Sequence, residues 1–188
     1  MLRIITAAKR HPWRAAALAV ACAASATFVL TYFAPQDLFI DTSLNERLPS
    51  AAAASVLPPG DAPTNPATRS PAAMPPSVRA RGRFRSGEHH TGGVALLLTL
   101  TDNRVFVRLE GLDTSNGPDV RIWLSTADYR ASDNTVHSAG HLDLGGLKAN
   151  HGNQNYRVPP HSELSRYHSV VVWCRRFDVV FGAAPLAP

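Results

Sequence analysis

The apolar and polar positions of this chain follow two different rhythms. Residues 15–34 form one run without a charge, rich in alanine and including Leu18, Val20, Phe28, Val29 and Leu30. From about residue 79 onward, apolar residues come in short bursts that alternate with polar ones and are punctuated by Gly, Pro and Asn. Period-two alternation marks strands with one face buried and one wet. It is clearest at residues 104–110, where Val105, Val107 and Leu109 share one face and Phe106, Arg108 and Glu110 the other. Residues 94–101 supply a partner strand, joined to it through the turn pair Asp102-Asn103. Further strands are expected at 120–124, 142–147, 154–158, 169–174 and 177–181, with a turn at Asn116-Gly117-Pro118-Asp119 and a stop at Pro159-Pro160. No stretch after residue 35 sustains the 3.6-residue period of an amphipathic helix. The expected C-terminal fold is mainly β, an antiparallel β-sandwich or barrel of about seven to nine short strands.

The long apolar run asks for a different solvent. A charge-free stretch of about 20 residues can cross the hydrocarbon of a bilayer as one helix. Lys9, Arg10 and Arg14 flank its start, whereas Asp37, Asp41 and Glu46 follow its end. Positive flanks stay cytoplasmic, so residues 1–14 are expected inside and the bulk of the chain outside. Trp13 and Tyr32-Phe33 sit where interfacial aromatics belong. A cleaved signal peptide ending near Ala-Ala-Ser-Ala is one alternative. Lipidation at Cys22 is another, opposed by the apolar residues that continue past it. The expected organisation is a basic N-terminus at 1–14, a transmembrane anchor at 15–34, a juxtamembrane segment and Pro-rich linker at 35–78, and a β domain at 79–188. Residues 49–78 hold eight of the fifteen prolines and few charges, a composition that favours an extended linker over a core.

The net charge of +5 does not mark a nucleic-acid binder. Four of the basic residues precede residue 15, and beyond residue 34 the 15 basic and 14 acidic side chains nearly cancel. Arg79, Arg81, Arg83 and Arg85 are spaced by two and read as the solvated edge of a domain rather than the clustered face that a polyanion needs.

Two cysteines, Cys22 in the apolar run and Cys174 in the β domain, cannot build a disulfide framework. Cys174 lies in Ser169-Val-Val-Val-Trp-Cys-Arg-Arg-Phe-Asp-Val-Val-Phe181, with an aromatic before it and two guanidinium groups after it. Adjacent cations favour the thiolate, the form that ligates metals and does redox chemistry. Period-two counting puts Val171, Trp173, Arg175, Phe177, Val179 and Phe181 on the more apolar face, the expected core face, and Val170, Val172, Cys174, Arg176, Asp178 and Val180 on the other. The competing reading is a buried core cysteine. His89 and His90 are the first choice as cofactor-binding partners of Cys174, because Gly92-Gly93 beside them lets backbone approach a ligand closely. A copper site would need two histidines with the cysteine. His137, His141, His151, His161 and His168 are better read as loop positions, Asp119 as a turn residue and Asp143 as a strand-end carboxylate. No Gly-x-Ser-x-Gly, His-Glu-x-x-His, phosphate-cradling glycine loop or Cys-x-x-Cys is present, which argues against a hydrolase or a nucleotide enzyme.

The order and spacing of these pieces resemble the DM13 domain family. The matching pieces are Gly82-Arg-Phe84, His89-His90-Thr-Gly-Gly93, Gly111-Leu112 with Ser115-Asn-Gly-Pro-Asp119, Leu124-Ser125, Leu144-Gly145, Leu147-Lys148, Gly152-Asn-Gln-Asn-Tyr156, Val158-Pro159, Ser169-Val-Val-Val-Trp-Cys174 with Phe177, and Phe181-Gly-Ala-Ala184. The N-terminal half is similar to the single-pass anchors that precede such domains in actinobacterial-type proteins. The resemblance implies a β-rich domain with an electron-transfer role centred on a late cysteine, here Cys174, and haem, copper or no cofactor at all. Two readings follow. One is a membrane-tethered extracytoplasmic redox domain that meets membrane lipid through residues 15–34 and passes electrons to a redox partner. The other is a noncatalytic module that binds a cell-envelope ligand through exposed aromatics and the Gly152-Asn-Gln-Asn-Tyr156 segment.

Overall fold

The computed structural model describes residues 12–32, 40–49, 75–129, 136 and 138–188. The expected Pro-rich linker falls largely outside the described residues, as does His137. Helix α1 (Pro12–Tyr32) covers 21 residues and begins three residues before the expected anchor. Its apolar side chains, among them Leu18, Val20, Phe28 and Val29, are exposed. Among the described residues no helix is long and apolar enough to cross a membrane.

Ten strands follow: β1 (Ser43–Asn45), β2 (Ser77–Arg83), β3 (Arg85–Ser86), β4 (Thr91–Thr99), β5 (Val105–Thr114), β6 (Val120–Ser125), β7 (His141–Gly146), β8 (His151–Arg157), β9 (Ser169–Cys174) and β10 (Val179–Pro185). They form two five-stranded sheets, sheet A in the order β1-β8-β5-β4-β2 and sheet B in the order β3-β10-β9-β6-β7. Neither order closes on itself, so the barrel alternative is excluded and two open sheets share one core. All pairings are antiparallel except β1 with β8. The chain passes from sheet A to sheet B at Phe84, whose ring is buried at the crossing.

The shared core takes Ala95, Leu97, Val107, Leu109 and Tyr156 from sheet A and Val120, Ile122, Leu124, Val170, Val172, Cys174 and Phe181 from sheet B. Burying one such aliphatic side chain contributes roughly 1.5–3 kcal/mol, so this layer supplies most of the hydrophobic drive. A second, smaller cluster lies on the outer face of sheet B. There Trp123, Val171, Trp173, Val180 and Ala183 are roofed by Ala127, Tyr129, Val136 and Ala139 of the β6–β7 connection. Strand β9 is therefore buried along its whole length.

The segment before the linker joins the domain. β1 pairs in parallel with β8, so the folded unit begins before residue 79. A dense polar seam holds it. Thr42 N–H donates to Asn150 Oδ1 at 2.7 Å, His151 N–H to Thr42 O at 3.1 Å, and Glu46 N–H to Asn153 O at 2.9 Å. The Glu46 carboxylate accepts from Lys148 Nζ at 2.7 Å and from Asn155 N–H at 2.6 Å. Gly152 sits at φ +102°, and a Cβ there would lie 2.2 Å from Leu44 O. Only glycine lets β1 approach so closely. The seam also covers Arg108. The alternation of β5 places this side chain on the wet face, yet it is only 6 % exposed. Its guanidinium donates to Glu110, Asn155 and Glu46 O.

Burial alone would raise the Glu46 carboxyl, but its bonds from Lys148 and Asn155 hold it below the ordinary value of 4.5. A carboxylate lowered on folding stabilises the folded form above the unfolded value, and that contribution fades as pH falls through the folded one. The protection of β1 amides, taken as their exchange relative to the unstructured chain at the same pH, is therefore expected to be high at neutral pH and to fall as pH drops below about 4.5. Glu46→Gln should flatten this pH dependence; an unaltered profile in that variant would show that the carboxylate does not hold the strand.

Candidate functional site

Cys174 is the last residue of β9, and its side chain faces the shared core at 0 % exposure. Its backbone pairs with Val120 on one side and Val179 on the other. The thiol donates to the Pro118 carbonyl at a Sγ–O distance of 3.5 Å. The expected face is thus corrected. The parity of Val170, Val172 and Cys174 holds, but theirs is the inner face of the sandwich, while Val171 and Trp173 point to the roofed outer face. Both faces of β9 are apolar, so counting alone could not tell inner from outer.

The expected strand also ends at Cys174. Residues 175–178 turn back into β10, with Asp178 in the left-handed region at φ 59° and its N–H donating to Cys174 O at 2.8 Å. The turn carries both arginines away from the sulfur. Arg175 Nε donates to Asp119 Oδ2 at 2.6 Å, and Arg121 also lies within 3.8 Å of that carboxylate. Asp119, at φ 68°, thereby acts as the counter-ion of this turn. Arg176 stacks its guanidinium over the Tyr32 ring of α1, 4.0 Å from the centroid. Cys174 is an enclosed thiol rather than one set among guanidiniums.

The histidines are spread over the surface. The His89 ring packs against Phe181 with centroids 4.0 Å apart. Exposed His90 lies 3.4 Å from the Asp113 carboxylate. Asp113 is shared with His151 Nδ1 at 3.1 Å, and His151 Nε2 lies 3.5 Å from Asp41, which also takes the Asn150 amide. This His90–Asp113–His151–Asp41 chain pins the start of the β1 segment. Among the described residues no group of three or more His, Cys, Asp or Glu is arranged to hold a metal ion. The glycines beside His90 serve the chain itself. Gly93 sits at φ +105°, where a Cβ would lie 2.6 Å from Gly111 O, so the approaching backbone is β5 and not a ligand.

The segment expected to contact a ligand, Gly152-Asn-Gln-Asn-Tyr156, is strand β8, flanked by β5 and β1. Tyr156 is buried and donates to Gln154 Oε1 at 2.7 Å; burial pushes its phenol well above the ordinary range. A concave surface does exist elsewhere. A cleft of about 230 Å³ lies between the Asp102-Asn103 turn and the Pro159-Pro160 stop, rimmed by Arg104, Arg157 and His161.

Sequence reasoning missed an aromatic column on the outer face of sheet B. The Trp123 ring stacks on His141 with centroids 3.8 Å apart and on Trp173 with centroids 4.8 Å apart. The three residues are far apart in sequence and meet only through strand pairing. The available signal was the shared parity of Val171 and Trp173.

The arrangement defines a two-sheet β domain with an enclosed thiol at the end of its central strand. The chain belongs to the DM13 family: the family described as Electron transfer DM13 matches residues 83–186. No curated protein and no solved structure matches the chain.

A thiol this enclosed is expected to be silent toward a maleimide or disulfide probe at neutral pH and to react fully once the chain is unfolded. Cys174→Ala should lower stability by about 1 kcal/mol through loss of one buried heavy atom. Rapid labelling of the folded chain at Cys174 would contradict its placement in the core.

Proposed function

We propose that the chain is a membrane-tethered electron-transfer domain working outside the cytoplasm, with the end of β9 around Trp173 and Cys174 as its redox part. The observation that carries this reading is the match to the electron-transfer family over residues 83–186. Enclosure of Cys174 supports it in a particular form. Thiol–disulfide exchange needs direct attack by a thiolate on an accessible sulfur, so a sulfur at 0 % exposure favours electron exchange at a distance. Burial also protects an unpaired thiol in an oxidising compartment. The partner in this reading is a one-electron carrier of the haem or copper class, and each encounter moves one electron with no bond formed between the two proteins.

The tether rests on residues 15–34, an uncharged run between Arg14 and Asp37 in which Leu18, Val20, Phe28, Val29 and Leu30 are exposed and would meet membrane lipid. The basic flank assigns the N-terminus to the cytoplasm. Protease added to intact cells is expected to degrade the β domain, and protection until lysis would reverse the assigned orientation.

Voltammetry of the purified full chain, beside its metal content and absorption spectrum, tests the redox role. A reversible one-electron wave that shifts or shrinks in Cys174→Ser is expected. A colourless, metal-free chain with no wave would favour the second reading, an envelope-binding module. The observation that favours that module is the cleft beside Pro159-Pro160 with its Arg104, Arg157 and His161 rim.

A further inference from the structure

The aromatic column crosses three neighbouring strands. Trp123 on β6 is paired in register with Asp143 of β7 and with Val171 of β9, while Ser125 pairs with His141 and Arg121 with Trp173. Each ring therefore reaches diagonally to the next strand, a separation that aromatic side chains can span. The planes are nearly parallel, 11° between His141 and Trp123 and 21° between the two indoles. Exposure falls along the column, from exposed His141 through Trp123 at 7 % to Trp173 at 2 %. Trp173 is bonded directly to Cys174, so the inner end of the column meets the enclosed end of β9.

One detail is not explained by packing. Trp123 Nε1 is buried and makes no hydrogen bond. A buried indole N–H ordinarily finds an acceptor, and leaving it without one is costly. Asp143, paired with Trp123 across β7, has its carboxyl lowered in part by this indole N–H. Burial would raise that carboxyl, but bonds from Arg121 and the Gly145 N–H outweigh burial and keep it ionised at neutral pH.

We propose that the His141–Trp123–Trp173 column is the route by which single electrons pass between the exposed edge of sheet B and the enclosed end of β9. This route rests on the electron-transfer reading above. At the exposed end, a high-potential one-electron oxidant takes one electron from the Trp123 indole and is itself reduced by one. Trp173 then gives one electron to Trp123, so the indole radical cation moves inward. No bond forms or breaks. The ionised Asp143 paired with Trp123 stabilises the positive charge on the indole. A reductant at the same edge reverses the step.

The test uses the full chain carrying Trp13→Phe, which leaves Trp123 and Trp173 as the only tryptophans. A photogenerated ruthenium(III) tris-bipyridine complex serves as oxidant, and transient absorption follows the indole radical. The parent should give a radical that outlives that of free tryptophan amide. Trp123→Phe should abolish its rapid formation, and Trp173→Phe should shorten its lifetime severalfold. His141→Leu alters only the exposed ring, keeps the core intact by circular dichroism, and should slow radical formation severalfold. Yields and lifetimes unchanged in Trp123→Phe and His141→Leu would overturn the route. The wave of the unsubstituted chain separates the two failures. A wave with column variants that behave like the parent refutes the route alone, whereas no wave in any form refutes the electron-transfer reading with it.

Discussion

The fold depends on burying strand β9 on both of its faces. A strand that is buried at every position and apolar from Val170 through Cys174 cannot lie on the surface of a sandwich. One side must meet the opposite sheet, and the other must be roofed by something else. Sheet A covers the inner side through Leu97, Val107, Leu109 and Tyr156. The β6–β7 connection covers the outer side through Ala127, Tyr129 and Val136. The position of the thiol and the stacking of the indoles are consequences of this double cover. The sulfur takes the inner layer by parity, and the rings of Trp123 and Trp173 fill the thin space under the roof.

Open sheets leave edges, and here the edges are closed by polar chemistry. At one side of sheet A, β2 presents Arg79, Arg81 and Arg83 to solvent. A charged outer strand resists pairing with another chain. At the other side, β1 is fastened by side chains rather than by its own apolar residues. Glu46, Asn150, Asn153 and Asn155 supply bonds that three residues of backbone pairing alone would not. Such a seam is strong in specificity and sensitive to charge, which is why one carboxylate matters for a whole strand.

Much of this was legible in the sequence and some was not, for identifiable reasons. The strands around the Asp102-Asn103 turn, at 120–124 and at 169–174 follow from alternation and turn chemistry, and each recurs within a few residues of its expected bounds. Apart from Gly82, the glycine, aromatic and cysteine pieces that resemble DM13 fall inside the matched region. Strands β1 and β3 were invisible because three and two residues carry no periodic pattern. The inward face of β9 was illegible because a run apolar at both parities has no phase. Arg108 looked wet because its own strand alternates correctly; what covers it comes from 62 residues earlier in the chain. The aromatic column could not be read either, since strand order, not spacing, sets its neighbours.

The two outermost strands of sheet A have a topological meaning for the proline-rich stretch. β1 ends on one flank of the sheet and β2 begins on the opposite flank, with β8, β5 and β4 between them. At about 4.8 Å per strand the two attachment points are roughly 19 Å apart. The chain between them therefore joins two strands of one sheet. A deletion that left this connection shorter than that span would strip β1 from β8 before it disturbed the rest of the sheet.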